Sequence, residues 1–172
     1  SNCDGCSTES ILTRWSLIGG SPRLRCDAWQ LTNDLIHVLQ QLHGQKGISV
    51  SNNLPHPCEL AMDAEDFGEI LGNLLENAFR HSRETISVTG TTLDSRHVRI
   101  VVEDDGSGIA DALIDEAMLP GRRLDEAGQG YGLGLNITRE LAELYNGTLA
   151  LSHSRKLGGL SCTITLPQCA KR

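Results

Sequence analysis

Asn73-Leu74-Leu75-Glu76-Asn77-Ala78-Phe79-Arg80-His81-Ser82 is the stretch from which the rest of this chain is read. Asn73 and Asn77 stand four residues apart, which on a helix puts both amides on one face. Leu71, Leu74, Leu75, Ala78 and Phe79 supply an apolar side for the same helix. Asparagine is a poor helix former because its side chain competes for the backbone. Two of them aimed one way from a leucine-rich helix therefore ask for a reason. A carboxamide oxygen is a hard, neutral ligand of the kind Mg2+ accepts alongside water and phosphate oxygens. Read alone, the pair more readily takes a bland account in which each amide caps or bonds backbone.

Two further blocks follow in order. Val98 to Glu103 reads as an apolar strand that runs into Asp104-Asp105-Gly106-Ser107-Gly108. A carboxylate at a strand end, followed by Gly-x-Gly, lets a ligand come close to the backbone. Asp105 is read here as the acceptor for the exocyclic amine of adenine, since guanine would present a carbonyl at that point. An ordinary acidic turn is the alternative. Next comes Gly128-Gln129-Gly130-Tyr131-Gly132-Leu133-Gly134-Leu135 at the start of a helical pattern. A helix N-terminus offers free N–H groups and a partial positive charge to phosphate. The glycine spacing is neither GxGxxG nor the GxxxxGK[ST] of a P-loop. The co-occurrence of all three blocks, in this order, points to a Mg-nucleotide site of another type.

Composition limits the rest. At 172 residues the chain suits one domain with a short appendage. Hydrophobic residues are 39% and aromatics 3%, so the core is expected to be aliphatic. A net charge of -7 speaks against general nucleic-acid binding, which needs a basic stripe. No apolar run reaches membrane-spanning length, and no signal peptide opens the chain. Cys3 and Cys6 form a CxxC without a second pair, and reduced thiols are the expected state of the six cysteines.

Periodicity predicts a helix over 9–18, broken by Gly19-Gly20-Ser21-Pro22, and an amphipathic helix over 31–42. Short strands are expected over 48–50 and 59–62. Asp63 is the expected N-cap of a helix ending near His81. Strands over 86–93 and 98–103 flank a turn at Asp94-Ser95. Residues 106–128 read as a long, glycine-containing loop with a short helical piece near 112–118. A helix over 133–145 stops at Asn146-Gly147, and strands over 148–152 and 160–166 form a closing hairpin. The sum is an α/β two-layer sandwich, a mixed β-sheet with helices packed on one face. His37, His97 and His153 are read as surface residues.

The three blocks resemble the N box and the two glycine boxes of the GHKL superfamily, the Bergerat-fold ATP sites. Within it, residues 30 to 167 resemble the catalytic, ATP-binding domain of bacterial sensor histidine kinases, and the lid string Pro120-Gly121-Arg122-Arg123-Leu124-Asp125 resembles the PhoQ type in particular. The resemblance implies ATP and Mg2+ as cofactors. It implies that Asn77 is the Mg2+ ligand with Asn73 on the same face, and that Gln129 is a lid amide near the metal. Arg80 and Arg123 become phosphate-contacting cations. Asp105, Gly106, Gly108 and Ile109 become the base-binding turn, and Gly130, Gly132, Leu133 and Gly134 the phosphate loop. His81 falls where the family often has an aromatic against adenine. Asn73 stands where hydrolytic members carry a water-activating Glu, so phosphoryl transfer is expected over hydrolysis.

Two departures stand out. Met118-Leu119 replaces the usual phenylalanine-bearing box, and none of the six histidines lies in a phosphoacceptor motif. The resemblance therefore implies a piece of a longer protein, with residues 1–27 the tail of a dimerisation helix and linker, and 28–170 the catalytic domain. Its partners would be its own dimerisation and phosphoacceptor domain, in a homodimer, and a response regulator. No nucleic acid is expected, and membrane contact only through an N-terminal part outside this chain, as the cytoplasmic domain of an inner-membrane sensor. The alternatives are a nucleotide-sensing module without transfer activity and an anti-sigma type serine kinase on the same fold.

Overall fold

The computed structural model describes residues 24–117 and 132–170. The helix expected over 9–18, Cys3, Cys6 and the lid residues Arg123, Gln129 and Gly130 lie outside them. Elements follow in the order β1 (Cys26–Asp27), α1 (Ala28–Leu42), a 3-10 turn (Gly44–Lys46), β2 (Ser49–Asn53), β3 (Glu59–Leu60), α2 (Ala64–His81), β4 (Thr85–Thr92), β5 (His97–Asp104), α3 (Asp111–Ala117), α4 (Gly132–Leu144), β6 (Thr148–His153) and β7 (Leu160–Pro167).

Five strands form one sheet in the order β2-β4-β5-β7-β6. β2 runs parallel to β4, and the other pairs are antiparallel, so the sheet is mixed as expected. Its buried face follows from the strand period of two. Val88 faces Val102, which faces Cys162, which faces Leu151; Ile100 faces Ile164, which faces Leu149. These residues are buried. Positions of opposite parity, such as Thr91, Arg99 and Thr165, turn to the open side. α1, α2 and α4 close the buried side, with Phe67, Ile70, Leu71, Leu74 and Leu75 of α2 almost fully enclosed.

Local chemistry explains the helix that matters most. Asp63 caps α2, accepting from the N–H groups of Glu65 (2.9 Å) and Asp66 (3.2 Å), as its sequence position predicts. At the far end Lys46 reaches across and donates to the carbonyls of Phe79 (2.9 Å) and Arg80 (3.1 Å). These are among the last carbonyls of the helix, which have no partner inside it. The ring of His43 stacks on Phe79 with centroids 5.4 Å apart. The turn carrying Asn77, Arg80 and His81 is thus braced from outside α2.

Most boundaries move by a residue or so, α1 begins at Ala28 rather than 31, β3 ends at Leu60 rather than 62, and two further differences stand out. β2 runs on to Asn53, because parallel pairing with β4 uses Asn52 and Asn53; the Asn52 amide donates to the Trp29 carbonyl (3.2 Å) and to Asn33 (2.8 Å), anchoring α1. The two-residue strand β1, unforeseen in the sequence, pairs with β3.

Candidate functional site

The described parts of the three sequence blocks meet at one end of the sheet. α2 supplies Asn73 and Asn77 from its last turns, both half-buried. The amide nitrogen of Asn73 is buried and has no hydrogen-bond partner among the described residues. The first turn of α4 stands directly against it: a Cβ placed on Gly134 would come 3.4 Å from both Cβ and Cγ of Asn73. Gly134 is therefore what lets the helix N-terminus approach the amide-bearing helix. Gly132 and Leu133 open α4 just before it, so the first turn of that helix lies beside Asn73. Thr138 fastens the turn, donating to the Gly134 carbonyl at 2.8 Å.

The acidic turn after β5 separates two neighbours that the sequence leaves side by side. Asp104 continues the buried parity of Val98, Ile100 and Val102 and is 3% exposed. Its Oδ1 accepts from the N–H groups of Gly106 (2.9 Å) and Leu160 (3.3 Å). Among the described residues its Oδ2 accepts nothing. Burial pushes this carboxyl above the ordinary aspartate range, while the Gly106 and Leu160 N–H groups and nearby His81 pull in the other direction. Asp105 points the other way. Its Oδ1 accepts from Arg83 N–H (2.7 Å), and both of its oxygens accept from Glu84 N–H (3.2 and 3.1 Å). Burial acts to raise the Asp105 carboxyl, but the backbone N–H groups of Arg83, Glu84 and Thr85 outweigh it and hold it below the usual range. Asp105 thus staples the end of α2 to the start of β4, and its oxygens are engaged there.

Glycines pack around Asp104 on two sides. A Cβ on Gly106 would overlap the His81 carbonyl and lie 2.9 Å from Asp104 Oδ1. A Cβ on Gly159 would overlap Asp104 itself and lie 2.6 Å from Gly106 N. Gly159 also donates its N–H to the Asp104 carbonyl at 3.0 Å. Gly159 was not singled out from the sequence; the Gly158-Gly159 pair in the hairpin turn is the only signal there. Ile109 is buried next to this turn. His81 lies half-buried behind Gly106. Arg80, in contrast, projects outward and sits 3.8 Å from Glu76 in an exposed ion pair.

Other chemistries find no support. Among the described residues no group of three His, Cys, Asp or Glu side chains could hold a metal ion. Burial pushes the thiols of Cys26 and Cys162 up to about 12 and that of Cys58 to about 11, which leaves them protonated and poorly nucleophilic. No described helix is long and apolar enough to cross a membrane.

Comparison with known proteins agrees with this geometry. Residues 62–170 match the family model described as histidine kinase-, DNA gyrase B-, and HSP90-like ATPase. Sensor protein kinase CarS of Pseudomonas aeruginosa is 37% identical over 146 residues, covering 85% of this chain and 32% of CarS. Virulence sensor histidine kinase PhoQ of Salmonella typhimurium is 33% identical over 129 residues, covering 75% of this chain and 26% of PhoQ. The chain therefore spans about a third or less of the length of these relatives. The solved catalytic domain of histidine kinase ThkA superposes with a TM-score of 0.70 at 19% identity, over 84% of this chain and 95% of that one, and shows the same fold. With two amides, a buried strand-end carboxylate and a glycine-opened helix assembled at one end of the sheet, the chain belongs to the histidine kinase-, DNA gyrase B- and HSP90-like ATPases and carries the ATP-binding catalytic domain of that family.

Proposed function

We propose that this domain binds Mg-ATP with the base against Asp104 and the phosphates along the N-terminus of α4, and transfers the γ-phosphate to a histidine on a dimerisation domain outside this chain. The observation that carries the reading is Asp104 Oδ2: an acceptor on a buried carboxylate whose other oxygen is already fixed by two backbone N–H groups. Such an oxygen is pre-oriented for the amine of adenine. The role assigned to Asp105 in the sequence moves one residue back, because Asp105 is held by Arg83 and Glu84.

The rest of the set fits a Mg-nucleotide. Asn77 and Asn73 offer amide oxygens, and the buried Asn73 nitrogen awaits an acceptor. Asn77 and Asn73 would hold Mg2+, whose positive charge would offset that of the phosphates. The residues of this chain do the positioning. Asn77 and Asn73 set the depth of the phosphates, α4 contributes N–H groups and its dipole, and the Gly106–Ile109 turn excludes water from the base. Arg123 and Gln129 are proposed to approach the terminal phosphate and the metal from the 118–131 segment. Arg80, exposed beside Glu76, would have to leave that ion pair to contact phosphate. The receiving imidazole is nucleophilic near neutral pH without a strong base, so catalysis rests on orientation and charge neutralisation. The phosphohistidine would then supply an aspartate of a response regulator. Residues 1–27 are proposed as the end of the dimerisation helix and its linker, placing this domain on the cytoplasmic side of a membrane sensor.

Calorimetric titration with ATP and GTP, with and without Mg2+, tests the site. Adenine selectivity and a Mg2+ requirement that Asn77→Ala removes are expected. Labelled ATP mixed with the chain and a histidine-bearing dimerisation partner tests transfer. Rapid phosphate release without labelling of the partner would refute the kinase reading.

A further inference from the structure

We propose that His153 is a positioning residue for the nucleotide site, acting as a clamp through Asp111. This rests on the base-binding reading above. His153 ends β6, and its Nε2 lies 2.5 Å from Oδ1 of Asp111, the first residue of α3. The two residues are 42 apart in the chain, so the bond joins separate parts of the fold. Between them runs the turn after β5. Gly108 adopts φ +70, and a Cβ there would stand 3.5 Å from the other ring nitrogen of His153 and 3.7 Å from the Gly159 backbone. The imidazole therefore roofs the turn at the one residue whose left-handed conformation favours glycine.

The linkage has a direction. Gly159 bonds the Asp104 backbone, and Gly106 bonds the Asp104 side chain, so the inner side of the turn is fixed to the strand end. The outer side, residues 108–111, is tied by the His153–Asp111 bond and by α3's own first-turn bonds from Leu113 and Ile114 to the Ala110 carbonyl. α3 ends at Ala117, immediately before the 118–131 segment. One side-chain bond thus sets where the roof of the base pocket lies and where α3 begins. Neither side chain is needed for the core: His153 is 50% and Asp111 87% exposed. A bond on so exposed a pair contributes little to global stability, and its effect falls on the local geometry of the turn.

The test is calorimetry of ATP and ADP with the intact chain and a double-mutant cycle. His153→Ala and Asp111→Ala should each weaken both nucleotides about three- to fivefold, the size expected for one exposed charge-assisted bond, and the double variant should lose no more than either single. His153→Gln, whose amide N–H can still donate to Asp111, should bind within about twofold of wild type. Melting temperatures should be unchanged across the set, which separates positioning from general loosening. Single variants at wild-type affinity, or losses that add in the double variant, would overturn the clamp while leaving the nucleotide site intact. Failure of the wild-type chain itself to bind adenine nucleotide would overturn the site reading, and the clamp with it.

Discussion

Asp104→Asn is the most revealing single change. Gly106 and Leu160 both donate to Oδ1, so the amide oxygen of the variant takes that place and its NH2 falls where Oδ2 was. That NH2 then faces the exocyclic amine of adenine, donor against donor. Losing a hydrogen bond to a charged acceptor costs about 1.5–3 kcal/mol, which is about 10- to 150-fold in ATP affinity at about 1.4 kcal/mol per tenfold. Guanine presents a carbonyl at the same position, so GTP should gain while ATP loses. The free protein should respond in the opposite sense. Burial raises the Asp104 pKa in the fold, so its ionisation opposes folding above that pKa, and the penalty fades as pH falls through it. The variant should therefore melt at or above the wild-type temperature at pH 7, with the gap closing towards acid. Titration with both nucleotides and thermal unfolding at several pH values measure all of this. A variant that holds ATP within twofold of wild type, or loses ATP and GTP alike, would refute the assignment.

Three other outcomes follow from the same packing. Gly159→Ala should destabilise the fold by about 1–3 kcal/mol, the range for overpacking, because the new methyl overlaps Asp104 and crowds Gly106 N; a chemical denaturation curve reports it. Asp105→Ala should cost about 1–2 kcal/mol for lost charge-assisted bonds. Since the folded pKa of Asp105 lies below the ordinary 3.8, that contribution is present above 3.8 and lost as pH falls through the lowered value, so wild type and variant should converge in acid. Tyr145→Phe removes the 2.5 Å bond from the phenol to buried Asp66, which ties the end of α4 to the start of α2; a loss of about 1–2 kcal/mol is expected, with nucleotide affinity little changed.

The sequence showed most of this fold because its signals were local. Asp63 capped the helix it was expected to cap, and the turn at Asp94 fell where expected. Asn73 and Asn77 do share one side of α2, because helical spacing alone decides that. The choice between Asp104 and Asp105 was harder. Counting by two from Val98 through Ile100 and Val102 puts Asp104 inward, so the signal lies in the strand period; a strand over 98–103 ends one residue short of it. Other features depend on distant partners and leave no local trace. β1 is two residues long, shorter than any periodicity can register, whereas the strand expected over 59–62 is present as the shorter β3. The histidines read as surface residues include His97 and His153, which are exposed but tied to Asp94 and Asp111 by contacts that only the folded chain brings together.

The pairing of β5 with β7 has a consequence for how this domain can change. Adjacent strands at the centre of the sheet come from residues 97–104 and 160–167, and the turn after Asp104, α3, α4 and β6 hang between them as one excursion. Closing a longer excursion adds little entropy cost, about 0.6 kcal/mol for each doubling of a flexible loop. Insertions or deletions between Ala117 and Gly132 should therefore leave the β-sheet framework standing. Natural or engineered changes of length there should come at small thermodynamic expense, while the β5–β7 seam stays the same.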